Sequence, residues 1–241
     1  MLSAVRRKVG RLVAEIRASY ERDGVRRAAG VTVGKLTQAV ARLAAFAGEF
    51  LVDSRHGMRT RGMVINHDSP LAGGRHADSY DYQAISTRGF RLCVESTGVD
   101  PAATTFVDLG CGRGRAVLFA ADRGFAGVLG VELDPDLVAQ ARQNVHRRLS
   151  RSASLSSPIE IRHGDASDVT LPDGPLLVWL YNPFGPGTLR DVLERLVENH
   201  RSAPRPVTMC YFNPVHADVV AEFEALVPAV AGNGWTVHRL A

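Results

Sequence analysis

At 241 residues, 45% hydrophobic and 22% charged, the chain has the composition of a globular protein long enough for a sizeable core. Its three cysteines (Cys93, Cys111, Cys210) form no CxxC pair, which excludes a disulfide framework, and no run of 18 apolar residues offers a membrane span. A reducing, cytoplasmic setting is the expectation. The net charge of +4 is unevenly spread: residues 1–62 carry 13 Lys and Arg against 5 Asp and Glu, and the remainder is mildly acidic.

The leader reads as helical. Leu2, Val5, Val9, Leu12, Val13 and Ile16 recur at helical spacing with arginines between them, and a second segment over 33–50 repeats the pattern. Such a basic segment suits an acidic partner, nucleic acid included, but also serves as a solvated helix face covering a domain, the simpler role. Gly34-Lys35 does not make a phosphate loop, because Leu36 follows the lysine where Ser or Thr is needed. From Asp53 to Tyr82 the periodicity stops and loop signals take over, Arg55-His56-Gly57, Arg61-Gly62, Ser69-Pro70 and Gly73-Gly74 among them. Tyr82, near the end of this stretch, is a candidate for lining a ligand pocket. We place the boundary here: a basic helical leader with a lid-like loop over 1–79, and one domain over 80–241.

A helix is predicted from Gln83 to Thr97. After it, strands and helices alternate: strand Thr104–Leu109, helix Ala116–Arg123, strand Gly127–Leu133, helix Pro135–Leu149, then a Ser-rich connection. Strands Ile159–His163 and Leu176–Tyr181, helix Thr188–His200, strand Pro206–Phe212, helix Ala217–Leu226 and strand Trp235–Leu240 complete the chain. Alternation of this kind predicts an α/β fold with a doubly wound, mostly parallel sheet.

The chemistry concentrates where the predicted strands end. Asp108 closes the first strand and Gly110, Cys111, Gly112 and Gly114 form the turn that follows, with glycines that permit close backbone approach to a ligand. Glu132 ends the second strand, 22 residues past Gly110, where a carboxylate accepts from both hydroxyls of an adenosine ribose. A nicotinamide cofactor and S-adenosylmethionine share that ribose. The Gly-x-Gly-x-Gly spacing weakens the pyrophosphate reading, and carboxylates at several strand ends (Asp165 closes the third) suit a sulfonium and repel a pyrophosphate. The fourth strand ends in Asn182-Pro183-Phe184-Gly185, a polar tip carrying an aromatic residue. Its simpler role is strand punctuation, a use this chain makes again at Asn213-Pro214. No spacing suggests a metal site.

Taken together, Val107-Asp108-Leu109-Gly110-Cys111-Gly112-Arg113-Gly114 and Gly130-Val131-Glu132-Leu133-Asp134-Pro135 resemble the first two motifs of class I S-adenosylmethionine-dependent methyltransferases. Gly164-Asp165-Ala166 is similar to their adenine motif, and Tyr181-Asn182-Pro183-Phe184 resembles the tip of those that methylate nitrogen, with one proline where that motif has two. Arg55-His56-Gly57 and Thr60-Arg61-Gly62 add a likeness to a bacterial group without an assigned substrate, and a looser one to seven-strand histone lysine methyltransferases. The resemblance implies a Rossmann-like seven-strand sheet that uses S-adenosylmethionine and releases S-adenosylhomocysteine. It further implies that Asp108 and Gly110–Gly114 hold the methionine part, Glu132 the ribose, Asp165 with Ala166 the adenine, and Leu133 the adenine face. Asn182 and the Pro183 carbonyl would accept from an amine, and Phe184 would stack on it. An oxygen or RNA acceptor is the alternative within the class; a nicotinamide-dependent oxidoreductase or a non-catalytic adenosylmethionine-binding protein is the alternative outside it.

Overall fold

The computed structural model describes residues 50–55, 57–60, 84–151 and 157–241, and the chain divides into two compact units, 1–51 and 52–241. The predicted leader helices, most of the loop that follows them, Tyr82 and most of the Ser-rich connection lie outside the described residues. In the second unit seven strands form one sheet: β1 (Thr105–Leu109), β2 (Gly127–Glu132), β3 (Ile159–His163), β4 (Leu176–Tyr181), β5 (Val207–Phe212), β6 (Leu226–Gly232) and β7 (Trp235–Leu240). Their order is β3-β2-β1-β4-β5-β7-β6. The first five are parallel, and β7 pairs antiparallel with both β5 and β6.

Every residue from Leu176 to Leu180 in β4 is buried. A central strand covered on both faces needs such a continuous apolar run. Helices α1 (Thr87–Ser96), α2 (Arg115–Asp122) and α3 (Pro135–Arg151) cover one face, where Phe90, Phe106, Phe119 and Trp179 share a cluster. The Phe90 and Trp179 rings meet at 5.1 Å between centroids. Pairs of this kind contribute about 0.5–1.5 kcal/mol beyond their buried area. Helices α4 (Pro186–Ser202) and α5 (Ala217–Ala221) cover the opposite face, where Val107, Leu109, Leu180 and Leu193 pack together.

Most predicted elements stand within a few residues of their expected bounds. Residues 50–55 are helical, so Asp53 to Arg55 are helix where the sequence predicts a loop. The larger correction is near the C-terminus. The helix expected over Ala217–Leu226 stops at Ala221, and Leu226–Gly232 forms β6. Pro228 hid this strand, because proline cannot donate to a ladder. The structure accommodates it on an edge strand, beside a register shift between Pro228 and Val230.

Candidate active site

The sheet order reverses at β1: the chain runs outward through β2 and β3, then returns to place β4 on the other side. Open α/β sheets bind ligands in the crevice outside the strand ends at such a point. Here the glycine turn leaves β1. Gly110, Gly112 and Gly114 take φ of 82°, 53° and 77°, values that a side chain would strain. The Gly110 and Cys111 N–H groups both donate to the Val131 carbonyl, at 2.9 Å each, which ties the turn to β2. Cys111 is buried and its sulfur sits where a Cβ on Gly130 would fall, so the two residues pack as a small pair. A Cβ on Gly110 would collide with the Pro183 ring, so the turn lies directly against the tip of β4.

Glu132 ends β2 half-buried. Its carboxylate accepts from the Gly112 N–H at 2.8 Å and from the Asp134 N–H at 2.9 Å. Burial raises its pKa and these backbone donors oppose the rise. Asp108 is 3% exposed, and burial pushes its pKa well up, with the negative charge of Glu132 adding to the effect. Two neighbouring carboxyl groups that both titrate high mark a site short of positive charge.

At the end of β3, Asp165 Oδ1 accepts from the Ser167 N–H at 2.9 Å and from the Ser167 hydroxyl at 2.8 Å, which fixes the carboxylate at the turn. His163 has Nε2 3.0 Å from the Leu133 carbonyl, which requires a proton on that nitrogen. It braces the loop that carries Leu133. Ala166 is buried in the core cluster beneath α4, and Asp168 is exposed.

The β4 tip is built differently from an ordinary strand end. Asn182 adopts a left-handed φ of 41° and is 9% exposed. Its Oδ1 accepts from the Tyr211 hydroxyl at 2.9 Å, and Tyr211 Oη in turn accepts from the His216 N–H at 3.4 Å. Phe184 is buried in the core cluster and reaches toward Gly110. Tyr181 is the aromatic side chain of the tip that stays partly exposed, edge-on to Phe212 at 5.0 Å. The second Asn-Pro pair repeats the backbone device, with Asn213 at φ 51°, at an exposed turn.

Sequence reasoning missed the supports of the turn. Arg115, Asp53 and Thr60 are buried together behind it, and Asn144 of α3 donates to the Arg113 carbonyl at 3.0 Å. Asp53 and Thr60 stand more than 50 residues upstream, so no local pattern links them to the glycines. Their legible signals were Thr60, quoted above only as part of a likeness, and Arg115, a charged residue at the start of a helix that is apolar from Ala116 to Ala121.

The arrangement fits an adenosine-bearing cation. A left-handed glycine turn offers close backbone approach, Glu132 and Asp165 hold oriented carboxylates at adjacent strand ends, and the raised Asp108 and Glu132 gain from a positive ligand. Residues 106–201 match a family model described as a methyltransferase domain. Over these residues the chain is similar to a class I S-adenosylmethionine-dependent methyltransferase domain, and S-adenosylmethionine is the cofactor that its strand-end residues fit.

Among curated proteins the chain is similar to the ribosomal protein L11 methyltransferase of Aliivibrio fischeri, 29% identical over 119 residues, which covers 45% of this chain and 40% of that protein. The enzyme of the same name from Vibrio campbellii is 25% identical over 142 residues, covering 54% of this chain and 46% of that one. The chain therefore spans less than half the length of these relatives. Among solved structures, an RNA methyltransferase from Salinibacter ruber in complex with S-adenosyl-L-homocysteine is 26% identical, with 65% of this chain and 91% of that one covered and a TM-score of 0.42. No helix among the described residues is long and apolar enough to cross a membrane.

Proposed function

We propose that the chain transfers the methyl group of S-adenosylmethionine to a nitrogen atom, on a protein side chain or a small amine. The observation that carries this reading is the seating of Asn182: a nearly buried carboxamide, held by Tyr211, on a β4 tip whose proline packs on the glycine turn. A carbonyl oxygen has two lone pairs, and Tyr211 occupies one. The second, together with the Pro183 carbonyl, is suited to accept from an amine and direct its lone pair. The names of the two curated relatives give a ribosomal protein as the target of those enzymes, which supports a protein acceptor here.

When bound, S-adenosylmethionine supplies a methyl group on a sulfonium, a leaving group that needs no protonation. Glu132 and Asp165 would hold the ribose and the adenine, and Asp108 with the Gly110–Gly114 turn the methionine end. The rest is positioning and exclusion of water by the walls of the site.

Radiolabelled methyl transfer to lysate protein, RNA and small metabolites tests the proposal. Label is expected in protein or in amines, with Asn182→Ala slowed by about 10²-fold, the cost of misplacing a reactant. Equal labelling by wild type and variant removes Asn182 from the chemistry. Label confined to RNA overturns the protein and small-amine reading.

A further inference from the structure

Arg115 is the first residue of α2, directly after the glycine turn, and it is 2% exposed. A charge is buried this deeply only when it is fully partnered. Its Nε donates to the Ile85 carbonyl at 2.7 Å, just before α1. Nη1 donates to the Asp53 carboxylate and to the Thr60 hydroxyl oxygen, the latter at 2.7 Å. Asp53, itself 2% exposed, also accepts from the Thr60 N–H at 3.1 Å and from its hydroxyl at 3.0 Å. The guanidinium lies 5.0 Å from the centre of the Phe119 ring.

The same upstream segment reaches the other side of the turn. The Arg59 N–H donates to Asn144 Oδ1 at 2.9 Å, while Asn144 Nδ2 donates to the Arg113 carbonyl at 3.0 Å. Gly114, the left-handed pivot of the turn, is thus bracketed between Arg113 and Arg115, and residues 53–60 anchor both. One step along, the Gly112 N–H holds Glu132, the ribose carboxylate. Any shift of the turn therefore moves a cofactor ligand.

We infer that Asp53 is a positioning residue for the cofactor turn, acting through Arg115, with Thr60 as its partner. A buried ion pair is a poor source of stability compared with apolar packing, because desolvation offsets most of the attraction. It is a good source of unique geometry. Three donors of a rigid guanidinium, aimed at three acceptors from two separate segments, permit one placement of the α2 start. The inference rests on the cofactor assignment above.

Calorimetry of the full chain with S-adenosylhomocysteine, alongside hydrogen exchange of the amides of 110–115, tests it. Asp53→Asn is expected to weaken binding at least tenfold and to speed exchange in the turn. Thr60→Val, which keeps the charge pair and the shape, is expected to weaken binding about threefold. Leu196→Ala, on the buried side of α4 in the core cluster, provides a destabilised control with an unchanged Kd. Arg115→Lys keeps the charge without the fork and is expected to fail as a rescue. Wild-type Kd and wild-type exchange in Asp53→Asn overturn the inference. Where Asp53→Asn does not fold, Thr60→Val decides: a lower Tm with wild-type Kd and turn exchange overturns it equally. A wild-type chain that bound no S-adenosylhomocysteine would remove the cofactor reading, and the exchange comparison would then decide the clasp by itself.

Discussion

Asp108 shows how one residue carries both a cost and a function. Burial first, and then the Glu132 charge, raise its pKa above the ordinary carboxylate value of about 3.9. The folded state therefore holds this proton more tightly than the unfolded chain does. Its contribution to stability is complete below pH ~4 and is lost as pH rises through the raised folded value. Asp108→Asn, neutral throughout, is expected to melt higher than wild type at pH 8, by at least ~2 °C, with the gap shrinking toward pH 5. Melting curves at the two pH values check this; an equal gap at both contradicts the electrostatic account. The variant is also expected to bind S-adenosylmethionine more weakly, because the missing charge is one that a sulfonium would meet. Asp108 and Glu132 were legible from the sequence because each stands at the end of an apolar strand, and Asp165 because it follows closely on the third strand. Tyr211, which holds Asn182, was not: within β5 it reads as one more aromatic core residue.

At the scale of elements, the decisive contact joins the turn after β1 to the tip of β4. Gly110 is left-handed at φ 82°, and a Cβ there would strike Pro183. Gly124 has a similar φ of 75°, but a Cβ there would meet nothing within 4 Å. The pair separates strain from collision. Gly124→Ala is expected to cost only the left-handed penalty, about 1–2 kcal/mol. Gly110→Ala should cost more, with a melting point lower than that of Gly124→Ala and S-adenosylhomocysteine affinity reduced at least tenfold. Matched melting points and affinities would mean that the turn and tip do not need this approach. The succession of β1 to β5 and their helices along the chain was readable because β1, β2, β4 and β5 are largely apolar runs, and β3 an alternating one, between helical periods. β6 was not readable, since its only buried residue is Leu226 and its pairing comes entirely from β7.

At the scale of the molecule, the uneven charge frames the question of the acceptor. Residues 1–62 are strongly basic, while the acidic strand ends gather at one edge of the sheet. An RNA acceptor gripped through 6–10 phosphates would lose about 10³–10⁵ in affinity between 50 and 200 mM salt. A protein or small-amine acceptor is expected to change by less than about threefold over that range. Measuring kcat/KM against salt distinguishes them, and a steep loss would turn the basic leader into a nucleic-acid contact. The sequence by itself determined the alternating fold, the glycine turn and the strand-end carboxylates, and hence the proposed methyl donor, because each is written in residues adjacent along the chain. The tertiary structure alone decided how these parts are held. Pro183 fills the space left by Gly110, Tyr211 fixes Asn182, and Asp53 with Thr60 reaches Arg115 from more than 50 residues away. Such contacts depend on which strands become neighbours, and burial makes them strong only after the sheet has formed.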